Sequence, residues 1–242
     1  MNDAPTLVLT SKYPTLILPK GYLSWSQMTC WMTNKDRYVR EYFEAGERLD
    51  TRYLRFGSKF SKMVEKLCEI MVTIPDRMTA IKKLAEEYPM DENMEAVLME
   101  LDIEGISEFE IKCKVRGLVP TLAYLDKYRN RDGSIGEYKT GLGEWTLAKV
   151  QKHDQLTFYG VSLKWCGKQL PPYADLTWIQ TKEVETEKVD FWRDGEKIIL
   201  ATGKIKTFHR EFDEREFARM EEDIIRIAWE ISDAYQDHLS QL

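Results

Sequence analysis

Histidine and cysteine are scarce in this 242-residue chain, three of one and four of the other. Cys30, Cys68, Cys113 and Cys166 are scattered with no Cys-x-x-Cys pair, which excludes a disulfide framework and a zinc ribbon and reads as reduced thiols in a cytosolic protein. The lack of His-Glu-x-x-His excludes the zinc-protease pattern. No run reaches the roughly 18 apolar residues of a membrane span, so no membrane partner is expected. The N-terminus is broken by Asp3, Lys12, Pro14, Pro19 and Lys20 and lacks the clean apolar core of a signal peptide. Repeats and low-complexity segments are also missing.

What the chain does have is a 43% hydrophobic content, enough for one large domain with a sizeable core. Its net charge of −6 is uneven. Between Glu110 and Leu170 eleven Lys/Arg face six Asp/Glu, a local +5 that leaves −11 on the remainder. A basic middle in an acidic chain is compatible with a phosphate-binding groove and equally with ordinary solvated faces.

Periodicity divides the chain. Residues 1–22 read as an extended segment. Ser24 and Gln27 have capping-box spacing, and the pattern then runs as one helix to Gly46. A second helix fits 56–71, and two shorter ones fit 76–87 and 91–101, so that 47–105 is a helical elaboration. Alternation then predicts strands over 107–117, 120–128 and 134–140, with Asp132-Gly133 as a hairpin signal between the last two. Helical period returns over 145–167, strands follow at 174–185 and 197–210, and a long amphipathic helix closes at 213–239. This order predicts an α/β fold: a central mixed β-sheet flanked by helices, in one domain.

The hairpin sets Asp126 opposite residues 137–139. Glu137 and Lys139 are two apart and share a strand face, while Tyr138 points the other way. Two carboxylates a few ångströms apart are tolerable if a cation sits between them. Hard oxygen ligands open to water suit Mg²⁺ or Mn²⁺, which would lower the pKa of a bound water and neutralise a phosphoryl oxygen. Lys139 would orient that water or steady the transition state. Glu-x-Lys alone is a weak signal, since Glu110-Ile-Lys112 repeats it without the Thr-Gly that follows Lys139. Gln155 and Tyr159, spaced i, i+4, supply an amide and a phenol on one helix face.

Together, LAYLDKY, IGEYKTG and QLTFY, in that order, resemble the PD-(D/E)XK nuclease superfamily, in its RecB-like and phage-exonuclease branches. LSWSQMTCW is similar to the Ser-x-Ser opening of the first helix in that branch, and FGSKFSKMVEKL to its second helix. The resemblance spans about 23–240 and implies a restriction-endonuclease-like core. It further implies Asp126, Glu137 and the Tyr138 carbonyl as metal ligands, Lys139 as the catalytic lysine, Glu65 as the helix carboxylate on the metal side, and Gln155 and Tyr159 as an auxiliary catalytic pair. Many relatives carry His four residues after the helix Gly. Here Ser61 stands there, which puts a second metal in doubt. No cysteine follows Cys166, so no iron–sulfur cluster is expected.

The activity implied is Mg²⁺- or Mn²⁺-dependent hydrolysis of DNA phosphodiester bonds by a stand-alone exonuclease acting on ends, in recombination, repair or phage DNA processing. A structure-selective endonuclease and a catalytically inactive nucleic-acid-binding module are the alternatives. DNA is the expected partner, contacted by Lys149, Lys152, Arg129, Arg131 and Trp145. Ring-forming relatives make a homo-oligomer and a single-strand annealing or recombination partner further expectations, and the location implied is the cytoplasm of a bacterial or phage-infected cell.

Overall fold

The computed structural model describes residues 11–48, 50–185 and 197–242. The first ten residues of the expected extended segment therefore lie outside the described residues. Residues 11–13 of that segment dock on the last helix, where Ser11 Oγ donates to Asp233 at 2.9 Å and the Tyr13 hydroxyl to Asp237 at 2.7 Å.

Eight α-helices and five strands are described. They are α1 (Trp25–Thr33), α2 (Lys35–Tyr38), α3 (Arg52–Thr73), α4 (Arg77–Glu87), α5 (Glu92–Glu100), β1 (Ile106–Val115), β2 (Val119–Tyr128), β3 (Ile135–Gly141), α6 (Leu147–Gln151), α7 (Asp154–Trp165), β4 (Tyr173–Glu185), β5 (Lys197–Glu211) and α8 (Glu214–Leu239). The strands form one sheet in the order β1-β2-β3-β4-β5. All neighbours are antiparallel except β3 and β4. A parallel pair needs a long crossover, and α6 and α7 provide it. This is the mixed sheet flanked by helices that the element order predicts.

Two apolar cores cover the two faces. On one, α1, α7 and α8 bury Met28, Trp31, Phe158, Ile224 and Ile227 against Ile111, Leu125 and Leu176 of the sheet. On the other, α3, α4 and α5 bury Phe60, Leu67, Leu84 and Leu98 against Tyr138, Ile179 and Ala201. Residues 47–105 thus supply the second covering layer. Close approach is set by missing side chains. A Cβ on Gly57 of α3 would lie 3.4 Å from Thr140 Oγ1 of β3, and one on Gly160 of α7 would lie 2.3 Å from the Phe217 ring of α8.

Two helices expected to be continuous are broken. The 24–46 helix stops at Asn34, whose side chain accepts the Arg37 N–H at 2.9 Å and restarts the chain as α2, followed by a π-helical turn at Val39–Phe43. A side chain that can satisfy a free N–H competes with helix continuation. The 145–167 helix breaks at Lys152-His153 into α6 and α7. No helix among the described residues is long and apolar enough to cross a membrane.

Candidate active site

The site forms where β2 and β3 part. Their ladder has two described rungs, Lys127↔Gly136 and Tyr128↔Ile135. At the next position the Asp126 carboxylate enters the seam and accepts the Tyr138 backbone N–H at 2.6 Å. β3 stays straight because β4 pairs with it along its whole length, Ile135 to Gly141. Alternation on β3 sends Tyr138 into the α3–α5 core, where its hydroxyl donates to the Asp102 carbonyl at 2.7 Å. Glu137 and Lys139 go to the α7 side.

There Lys139 Nζ donates to Glu137 Oε1 at 2.5 Å and to Gln155 Oε1 at 2.7 Å. Gln155 Nε2 in turn donates to the Tyr159 hydroxyl at 2.5 Å. The expected i, i+4 face of α7 is therefore turned to the expected strand face of β3. The chain from Glu137 through Lys139 and Gln155 to Tyr159 is continuous. Glu137 is 3% exposed, and its second oxygen, Oε2, is buried without a hydrogen bond. Burial and the charge of Glu137 hold the Asp126 carboxyl well above the usual carboxylate range. Burial, with the charges of Glu137 and Asp126, also raises the Tyr159 phenol, which stays protonated: it accepts from Gln155 and keeps its own proton to donate.

These properties fit a cation. An orphaned, desolvated carboxylate oxygen beside a second carboxyl that resists ionisation is a local excess of negative charge, and a divalent ion would reverse both effects. Among the described residues no three Asp, Glu, His or Cys side chains are gathered closely enough to form a ready-made cage. Asp126 and Glu137, whose charges bear on each other, are instead a partial set. Mg²⁺ accepts such a set because it retains waters and takes substrate oxygens as its remaining ligands.

Glu65 is exposed on α3, and its charge bears on Glu108 of β1 rather than appearing among the main influences on Asp126. Glu108 is a neighbour that the sequence does not announce. It lies between the rungs Ser107↔Lys127 and Phe109↔Leu125, opposite Asp126, with a left-handed φ of 49°. Leu125 and Tyr128 both pack into the first core although three residues apart, so the alternation of β2 slips by one at this point. Burial, then the charges of Glu65 and Glu137, raise the Glu108 carboxyl. Left-handed backbone at a non-glycine residue in a strand is the one signal of strain beside the site, and sequence does not display it.

His153 is the second such neighbour. It begins α7, and its Nε2 is buried without a partner. Burial, reinforced by the charge of Lys139, pushes the ring down to about 4. The folded chain therefore excludes a proton that the unfolded chain binds. Stability is full above the unfolded pKa near 6.5 and falls as pH drops from there towards 4. His153→Phe is expected to flatten this dependence relative to the parent by at most about 3 kcal/mol. Urea unfolding of both proteins at pH 7, 5.5 and 4 would measure it, and parallel curves would refute it.

The expected DNA contacts divide. Lys149 and Lys152 are exposed on and just after α6, and Lys149 Nζ donates to the Glu144 carbonyl at 2.6 Å. Arg131 is exposed and paired with Glu104 at 2.9 Å. Trp145 lies half-buried, its ring edge-on to His153 with centroids 5.0 Å apart. Arg129 corrects the expectation of a loop contact. Its side chain is 4% exposed and donates to Asp102 at 2.6 Å, Asp175 at 2.8 Å and Ser134 at 2.9 Å. Two carboxylates and a hydroxyl take three of its five N–H donors, and with its burial this makes it a structural ion-pair hub rather than an exposed loop cation. A cleft of about 330 Å³ opens beside Gln155 and Tyr159, walled by Ser24, Trp25, Arg48 and Tyr124.

No protein-family model and no curated protein matches the chain. Among solved structures, a phage-related exonuclease from Haemophilus somnus 129PT aligns with 91% of this chain and 86% of its own, at 11% identity and a TM-score of 0.45. A protein named SSO0001 aligns with 80% of this chain and 85% of its own, at 14% identity and a TM-score of 0.31. Identities this low carry nothing about chemistry.

Proposed function

We propose that this chain is a metal-dependent DNA nuclease that hydrolyses phosphodiester bonds, acting as an exonuclease on DNA ends in recombination, repair or phage DNA processing. The observation that carries this reading is the Lys139 ammonium, fixed between Glu137 and Gln155 beside the unpaired Glu137 oxygen and the Asp126 carboxyl. Asp126, Glu137 and the Tyr138 carbonyl would hold Mg²⁺ or Mn²⁺, with Glu65 and Glu108 nearby as further negative charge. When bound, the ion supplies a water of lowered pKa and neutralises phosphoryl charge.

The chain's own residues do the rest. An ammonium has three donors, and two of Lys139's are engaged. The third is available to the attacking water or to a phosphoryl oxygen as negative charge grows there. Water oxygen bonds to phosphorus as the bond to the leaving sugar oxygen breaks. Gln155, itself held by Tyr159, keeps Lys139 from swinging into solvent. Pairing with a buried carboxylate would serve a binding module as well, and it is the donor left free on Lys139 beside Asp126 and Glu137 that favours an enzyme.

The test is loss of end-labelled linear duplex DNA compared with closed circular DNA, in Mg²⁺, in Mn²⁺ and in EDTA. Metal-dependent loss of the linear substrate alone is expected. Cutting of the circle as well would make the protein an endonuclease with the same site. DNA binding without cleavage in either metal would leave a binding module.

A further inference from the structure

Helix α3 carries Arg52, Arg55, Lys59, Lys62 and Lys66, spaced 3-4-3-4. At 3.6 residues per turn these five fall within an arc of about 80° and run for about 21 Å. The stripe lies on the flank away from Gly57, the side by which α3 approaches β3. Like charges at i, i+3 and i, i+4 weaken a helix, and this stripe has four such successive pairs. Among the described residues they are compensated only weakly. Among the described residues Lys59 and Lys62 have no ion pair. Arg52 and Arg55 reach only Glu183 and Asp50, each at 3.9 Å, and Lys66 pairs with the exposed Glu69 at 2.9 Å. Exposed pairs of this kind contribute little. Arg55, Lys59 and Lys62 also line a shallow groove of about 450 Å³, with Asp50, Leu54 and Ser58.

We propose that this stripe is a track for the phosphates of the DNA strand beyond the cut. The inference rests on the nuclease reading and adds a surface to it. One strand of duplex carries a charge about every 3.4 Å of axis, so about 21 Å spans about six phosphates, of which those on the near side of the winding strand face the stripe. The stripe sits on α3, the helix that bears Glu65 and that packs on β3 so closely that a Cβ on Gly57 would lie 3.4 Å from Thr140 Oγ1, the residue after Lys139. It is turned away from Lys139, so it grips substrate and takes no part in chemistry. Glu65 and Glu69 flank it and limit how closely a second strand could lie.

The test uses the full chain carrying Lys139→Ala, so that binding is read without cleavage. Affinity for end-labelled linear duplex is measured from 50 to 300 mM NaCl in EDTA. Adding Lys59→Ala and Lys62→Ala is expected to lower affinity at 100 mM by about tenfold or more. It should also reduce the slope of log affinity against log salt by about 1.8, or about 0.9 for each phosphate no longer neutralised. A control pair, Lys82→Ala with Lys83→Ala on α4, removes as much charge elsewhere and should leave the slope unchanged. An unchanged slope in the α3 variant, or an equal loss in the α4 control, overturns the track while leaving the nuclease reading intact. No DNA binding by the parent at any salt overturns both.

Discussion

Lys139→Ala should lower the rate of DNA hydrolysis at saturating substrate by roughly 10² to 10³, the cost typical of removing one preorganised electrostatic donor. The side chain is 26% exposed and carries no core packing, so the loss should come without unfolding. A smaller structural effect accompanies it. With Lys139 gone, Glu137 Oε1 joins Oε2 as a buried acceptor without a donor, and an unsatisfied group costs about 1–3 kcal/mol. Lys139→Arg should rescue little, because a planar guanidinium cannot fill the point between Glu137 and Gln155 that an ammonium occupies. Single-turnover cleavage with a parallel melting curve would decide. A rate within threefold of the parent would remove Lys139 from the chemistry.

The largest loss of stability is expected at Arg210→Met. Arg210 is fully buried on β5. It donates to the His153 carbonyl at 2.9 Å, to Thr157 Oγ1 at 3.1 Å and to Glu216 at 3.0 Å. Methionine would fill the space but leave the buried Thr157 hydroxyl without its donor, and would strip the charged donor from the His153 carbonyl and from Glu216, which keep only the Leu156 and Asp213 backbone N–H groups. Breaking a buried charged pair by removing one partner costs about 3–5 kcal/mol, which in a chain of this size lowers Tm by about 10 °C. The effect should reach the site too. The His153 carbonyl marks the start of α7, so Arg210 helps aim Gln155 and Tyr159 at Lys139. A variant that melts within 2 °C of the parent would show the network to be dispensable.

Both residues illustrate what the sequence displays and what it hides. Glu137, Lys139, Gln155 and Tyr159 are legible because their relations are local: two apart on a strand, four apart on a helix. The strands and their hairpin are legible through alternation and Asp132-Gly133. Asn34 and His153 interrupt helices whose apolar periodicity runs straight through them, because a cap and a desolvated ring act on the backbone and leave the pattern intact. Arg129 resembles an exposed loop cation in sequence because its partners Asp102 and Asp175 lie 27 and 46 residues away. Glu108 and Arg210 matter through contacts across strands and layers, which no short window contains.

Asp126 has a consequence for how descendants of such a chain would be read. Its carboxylate replaces a backbone rung between β2 and β3 by accepting the Tyr138 N–H. The same side chain is thus a fastener of the sheet as well as a prospective ligand. A lineage that abandoned hydrolysis would still be selected to keep an acceptor at position 126, or its seam would unzip. An acid retained there is therefore poor testimony to activity. Position 139 is the better witness, because the partners of Lys139 belong to the site and the sheet does not depend on it.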